Sequence, residues 1–452
     1  MRFSRLGRSV LSAFVLGFGL TLLAFPAQAQ GTSFNAALPL AHVDNGPNSA
    51  WAENQHYLVL VSLDGFRWDY AKRDNATHLL AIGKAGVWAP EGMMPSYPSL
   101  TFPNHYTLVT GLYPEHHGIV ANSFLDPARG ARYAMSDPQA VSDGSWYGGV
   151  PLWSLAESQG MRTACLLWVG CEAKIAGFRP SYYATFDSKT QATPQAEQAR
   201  IDNTLALLHL PAADRPHFIA IYFSSPDHEG HAFGPDARET REAALRMDAL
   251  VGKLRAALRA IGLPIDLVVV SDHGMVKSEG GWIDLDQFAD LAGFDTVGDL
   301  LYGQTEENRA RVYNQLKHAT SQFMVYRRKD VPAGLNYNQN PREGDPVVVA
   351  TGAYAIRAHA PPAGETSRPP TMGMHGFDPR ILPEMKASFF AVGPDLREGK
   401  TVAPFDNVNL YPWMAHLLGL TPPKNDGSLS ILSGTLRDDG AAPENRKAID
   451  EP

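Results

Sequence analysis

The sequence predicts an α/β fold, a mostly parallel sheet with helices on both faces and a smaller inserted lobe. Three observations carry this. Short runs rich in Val, Ile, Leu and aromatics read as buried strands, helical patterns alternate with those runs, and acidic residues stand just after three of them. Strands alternating with helices imply right-handed crossovers and a sheet covered on both sides. With 44% apolar residues and only two cysteines, the chain must be held by a hydrophobic core.

Along the chain, residues 1–29 read as a secretory signal peptide: Arg2, Arg5 and Arg8, an apolar run from Val10 to Phe25, then Ala27-Gln28-Ala29 as a cleavage site. The run is short for a bilayer span and is weakened by Gly17 and Gly19, so no membrane span is expected after signal removal. The protein is thus expected to be secreted, into the periplasm. Removing three of the 39 basic residues leaves 36 against 47 acidic ones, a formal balance of −11. Long nucleic acid is therefore excluded as a partner, since neutralising many phosphates needs a basic face. Cys165 and Cys171 form a small local disulfide in an oxidising compartment or remain two buried thiols.

Residues 30–50 read as a leader and residues 51–436 as the catalytic domain. Its strands are expected at Tyr57–Leu63, Thr163–Val169, Phe218–Phe223, Leu267–Ser271 and Ser388–Val392. The clearest helix runs from about Asp236 to Ile261, where Ala244, Met247, Val251, Leu254, Leu258 and Ile261 recur at spacings of three and four. It should stop at Gly262, before Pro264. Between about residues 280 and 371 the pattern weakens into Pro, Gly and Asn around a few short strand-like runs, an inserted lobe. Residues 437–452 are too polar to fold and form a solvated tail.

The chemistry lies in five separated pieces: Asp64, Thr101, Asp227 with His231, Asp272 with His273, and His375. Carboxylate and imidazole in nearly equal number suit zinc better than magnesium. In an open α/β sheet ligands bind beyond the carboxyl ends of the strands, where Asp64, Asp227 and Asp272 all fall. A helix beginning near Phe102, with Pro103 in its first turn, puts Thr101 at the N-cap, where backbone N–H groups favour an anion. Taken alone, Thr101 is an ordinary cap and His375 a loop histidine.

Together these motifs resemble the nucleotide pyrophosphatase/phosphodiesterases of the alkaline phosphatase superfamily. The resemblance runs in order through Ser62-Leu-Asp-Gly65, Thr101-Phe-Pro-Asn-His105, Thr110-Gly-Leu-Tyr-Pro114, His117-Gly118, Pro226-Asp227, Gly230-His231, Ser271-Asp-His-Gly274 and His375-Gly376. It implies two zinc ions, one held by Asp64, Thr101, Asp272 and His273, the other by Asp227, His231 and His375. Three carboxylates against two divalent ions leave a local charge near +1, which an ionised threonine brings near zero, so a phosphate is accepted. The resemblance further implies Asn122 as a donor to a phosphate oxygen, and Phe102, Tyr183 and Tyr222 as an aromatic slot, with Tyr182 as the alternative to Tyr183. It makes His105, His116, His117 and His228 outer groups and not ligands.

The expected reaction is hydrolysis of phosphodiester or pyrophosphate bonds in small nucleotides through a phosphothreonine, by a monomer. A phosphomonoesterase would place arginine near Thr101, and none adjoins it; a sulfatase would need cysteine or serine there. A choline-phosphodiester or phospholipase C-like phosphodiesterase stays open, since acidic and aromatic groups of the inserted lobe could receive an ammonium head. So does, from another class, a non-catalytic periplasmic zinc- or ligand-binding protein.

Overall fold

Nine strands form one sheet in a computed structural model that describes residues 34–187, 193–362 and 370–437. In chain order they are β1 (Ala41–His42), β2 (Tyr57–Leu63), β3 (Val87–Trp88), β4 (Thr163–Leu166), β5 (Tyr182–Ala184), β6 (Phe218–Phe223), β7 (Ile265–Val270), β8 (Phe389–Val392) and β9 (Lys400–Thr401). Across the sheet the order is β1-β5-β4-β6-β2-β7-β8-β3-β9. The five central strands, β5, β4, β6, β2 and β7, are mutually parallel, and β8 returns antiparallel to β7.

Side-chain alternation along β2 divides the core. Leu58 and Leu60 enter one buried cluster with Tyr106, Leu108 and Val109 of helix α1 (Thr101–Thr110). Tyr57, Val59, Val61 and Leu63 enter the other, with Met247, Val251, Leu254 and Leu258 of helix α4 (Arg238–Ile261). That is the period of two expected of a strand covered on both faces. Helices α2 (Pro194–Leu208) and α3 (Asp227–Phe233) precede α4. The α4 helix ends at Gly262 with φ 76°, a left-handed stop that glycine adopts without strain.

Departures from the sequence reading are local. β4 ends at Leu166 instead of Val169, because Leu167 turns to φ 68° and Cys171 folds back to form a disulfide with Cys165. Residues 34–50 do not stand apart as a leader. Leu38 is fully buried, β1 pairs with β5, and the Asn203 side chain donates to the Leu38 carbonyl. A few buried anchors in a polar, turn-rich segment suffice to join it to the sheet. The described residues from Phe34 to Arg437 form one compact unit. Within residues 280–371 the described residues form small two-stranded ribbons around a separate cluster that includes Leu285, Leu301, Val312 and Phe323. The expected signal peptide, residues 1–29, and the expected tail beyond residue 437 lie outside the described residues, and no described helix is long and apolar enough to cross a membrane.

Met247 is fully buried between α4 and the sheet. Met247→Ala should lower stability by about 2–5 kcal/mol in chemical denaturation, the transfer loss plus the cavity left behind.

Candidate metal centre

Asp64 follows β2 directly, Asp272 is two residues beyond β7, and Asp227 opens α3 four residues beyond β6. Because β6, β2 and β7 are neighbours, three parallel strands deliver three acids to one edge. His231 lies one helical turn after Asp227, on the same face of α3. His375 comes from far away. It follows a short strand, Gly373–Met374, that pairs antiparallel with Val276–Lys277, so the ribbon leaving Asp272-His273 also carries His375 back. Gly65 has φ 65°, and a Cβ there would meet Asp227 Cβ at 2.8 Å; only glycine lets these two loops touch.

The polar atoms converge in two overlapping groups. His231 Nε2 lies 3.1 Å from His375 Nε2 and 3.4 Å from Asp227 Oδ2, and His375 Nε2 lies 3.5 Å from Asp227 Oδ1. His273 Nε2 lies 3.0 Å from Asp272 Oδ2, 3.5 Å from Asp64 Oδ1 and 3.4 Å from the Thr101 hydroxyl. Asp227 joins Asp64 and His273 as readily as it joins His231 and His375.

Protons decide what this cluster is for. Each of the three imidazoles is fixed through Nδ1, which donates 2.9 Å to a backbone carbonyl: His231 to Gly373, His273 to Gly274 and His375 to Ser99. In that tautomer a neutral ring keeps Nε2 as its acceptor facing the cluster, the arrangement by which proteins orient histidine toward a metal. At His273 burial opposes the charged form, but the Asp272 carboxylate beside it outweighs burial and raises the imidazole above its ordinary value. Asp64 Oδ1, Asp227 Oδ1 and Asp272 Oδ2 are also buried without a hydrogen-bond donor. Burial, with Asp272 and Asp227 beside it, pushes the Asp64 carboxyl well above the usual carboxylate range. His375 is held well below the ordinary imidazole value by burial and by His273 and His231. Lone pairs facing lone pairs fit divalent cations, and an N/O donor set with imidazole fits zinc.

Around this centre, Tyr222 donates its hydroxyl to Asp64 Oδ2 at 2.6 Å, Gly65 N–H donates to Asp272 Oδ1, and His105 bridges Ser62 Oγ and the Thr101 carbonyl. Thr101 is the first residue of α1 and not its cap: Leu100 takes the extended N-cap backbone, leaving the Thr101 hydroxyl directed to His273. Asn122 Oδ1 accepts the Phe102 N–H at 2.9 Å. Phe102, Tyr183 and Tyr222 all border one cluster, whereas Tyr182 points to the opposite face, stacks on His42 and donates to the Asp214 carbonyl. Sequence reasoning missed Phe186, whose half-exposed ring lies edge-on to Tyr222 at 5.8 Å; one aromatic just past a three-residue strand gives no periodic signal.

A family profile described as type I phosphodiesterase / nucleotide pyrophosphatase matches residues 58–378. The chain belongs to that family of hydrolases. Among its relatives, an uncharacterized pyrophosphatase/phosphodiesterase of Schizosaccharomyces pombe is 34% identical over 83% of this chain and 79% of its own. Human ectonucleotide pyrophosphatase/phosphodiesterase family member 7 is 32% identical over 86% of both chains, and human bis(5'-adenosyl)-triphosphatase ENPP4 is 33% identical over 82% and 80%. Murine ectonucleotide pyrophosphatase/phosphodiesterase 5, solved as an inactive threonine-to-alanine form with AMP, superimposes with a TM-score of 0.77 at 27% identity. That match covers 85% of this chain and all of the other.

Tyr222→Phe keeps the ring and removes the donor to Asp64. It should weaken zinc affinity about 10–100-fold in chelator competition. A KM for nucleotide within about twofold of the parent's would separate this holding role from stacking.

Proposed function

We propose that the chain hydrolyses phosphodiester or pyrophosphate bonds in nucleotides and releases nucleoside monophosphates, using two zinc ions and a covalent phosphothreonine. The observation that supports this best is the convergence of three imidazoles held through Nδ1 with three carboxylate oxygens that lack a donor, with the Thr101 hydroxyl beside His273. Asp64, Thr101, Asp272 and His273 would hold one ion, and Asp227, His231 and His375 the other. When bound, the two ions would neutralise the carboxylates, lower the pKa of the threonine hydroxyl and offset charge on the reacting oxygens.

The chain's own residues do the rest. Thr101 Oγ1 attacks phosphorus in line, the bond to the leaving oxygen breaks, and water then cleaves the threonine ester by a second displacement. The Asn122 side-chain oxygen is occupied by the Phe102 N–H, so its NH2 group is left for a non-bridging phosphate oxygen. Phe102, Tyr183 and Tyr222 would receive the base by stacking, which does not read base identity. A relative named for bis(5'-adenosyl)-triphosphatase activity and a neighbour solved with AMP support a nucleoside monophosphate product. The amino-terminal segment supports export to the periplasm, and a monomer is the proposed state.

One cavity favours a second reading, a choline-phosphodiester or phospholipase C-like activity. A space of about 270 Å³ beside His375 is lined by Tyr97, Trp282, Tyr337 and Tyr354 together with Asp299 and Glu343. Burial pushes the Glu343 carboxyl up to about 8. Aromatic faces and a carboxyl that an organic cation would ionise suit an ammonium group. Rates on a nucleotide diester and on glycerophosphocholine, measured side by side, separate the two readings.

Thr101→Ala should abolish turnover of p-nitrophenyl thymidine monophosphate, by about 10³-fold or more, with bound zinc retained. Undiminished hydrolysis by that variant sinks the assignment. A chelator should likewise abolish turnover of the parent, and zinc should restore it where magnesium does not.

A further inference from the structure

At the opposite edge of the sheet, three residues from separate segments meet. His56 immediately precedes β2, Asp266 is the second residue of β7 and Asp395 follows β8, so they gather at the amino ends of two central strands. His56 Nδ1 lies 2.8 Å from Asp395 Oδ2, and Asp266 Oδ1 accepts the Asp395 N–H at 3.3 Å. One donor atom from each residue falls within 4.8 Å of the others.

Asp266 is the anomaly. It is 1% exposed, and its Oδ2 is buried with no hydrogen-bond partner. Gly393 packs so closely on it that a Cβ there would collide with the Asp266 side chain. A buried carboxylate lacking a donor costs several kcal/mol unless a charge compensates it, and the second carboxylate beside it adds repulsion. His56 and Asp395 lead outward, with side chains 40% and 18% exposed, so the free side of the cluster opens to solvent.

We propose that His56, Asp266 and Asp395 form a second metal site that takes one divalent transition ion such as zinc, with water completing the coordination. A dication facing two carboxylates and a neutral imidazole gives a neutral cluster, and one nitrogen with two oxygens favours zinc or manganese over calcium. The Asp395 N–H keeps Asp266 Oδ1 engaged and orients Oδ2 toward the ion. His56 and Asp64 are the two ends of one strand, separated by eight residues or about 26 Å of extended chain. The ion therefore takes no part in catalysis and instead ties the β2, β7 and β8 segments together.

The test is metal content by mass spectrometry of the full exported chain, purified with zinc and desalted. His56→Ala removes an exposed side chain and should fold; it should carry one ion fewer per chain than the parent. Its kcat/KM on p-nitrophenyl thymidine monophosphate should stay within about twofold, as expected for distant sites. His375→Ala, which impairs the catalytic centre, should still lose one further ion when His56→Ala is added. If the catalytic reading were wrong, the total would differ but the one-ion difference at His56 would persist. Equal metal content in parent and His56→Ala overturns the proposal, and would mean that Asp266 and Asp395 share a proton instead.

Discussion

Electrostatic convergence at the carboxyl edge of the sheet is the constraint on which the structure depends. Three carboxylates and three imidazoles meet there, and one oxygen of each carboxylate is buried without a donor. Two like charges about 4 Å apart in partly buried surroundings repel by roughly 4 kcal/mol. Three of them, with burial added, would open the loops or force protonation in the absence of cations. Burial raises the Asp64 and Asp227 carboxyls, the same stress seen from the titration side, whereas His273 and His105 beside Asp272 outweigh its burial and hold it ionised. Metal binding and correct closure of these loops are therefore one equilibrium, not two.

The fold answers that constraint through strand order and not through loop length. Asp64, Asp227 and Asp272 follow β2, β6 and β7, and parallel pairing in register brings the ends of those strands together. The imidazoles need finer control, because a rotated ring presents the wrong nitrogen. Backbone carbonyls of Gly274, Gly373 and Ser99 supply it. Two of these three carbonyls belong to the loops that carry His273 and His375 themselves, and Ser99 belongs to the segment leading into Thr101. Ser99 ties the Thr101 segment to the His375 segment, its carbonyl accepting from His375, its hydroxyl accepting the Gly376 N–H and donating to the Phe377 carbonyl.

Legibility in the sequence followed the strength of local signals. Apolar runs marked β2 and β6 to the residue, because both faces of those strands are covered and only Ser62 interrupts them. The α4 stripe was equally plain, and its glycine stop needed only backbone chemistry. The β4 end was not legible, since Leu167 and Val169 continue the apolar run while the backbone leaves the strand at a left-handed leucine held by tertiary packing. The same holds for residues 34–50, whose attachment rests on Leu38 and side-chain hydrogen bonds across more than 160 positions. In the site, the acids and imidazoles that converge could be picked from motif order, but the hydroxyl bond from Tyr222 to Asp64 could not, because a tyrosine in a buried strand carries no mark of which end matters.

Thr101 meets the cluster by a different backbone route from the one its sequence context suggests. A threonine before a helical pattern is expected to cap the helix, and losing such a cap costs about 1 kcal/mol. Had Thr101 capped α1, its hydroxyl would be turned toward the helix backbone and its lone pairs engaged there. The backbone instead places Thr101 inside the first turn, and Asn122 accepts the Phe102 N–H in its place. One asparagine then does two things at once. Its oxygen satisfies an N–H that the helix leaves open, and this fixes the amide so that the NH2 group points away from α1. The hydroxyl is free because the capping duty lies elsewhere, which ties the amino terminus of α1 to the site's chemistry more closely than an ordinary cap would.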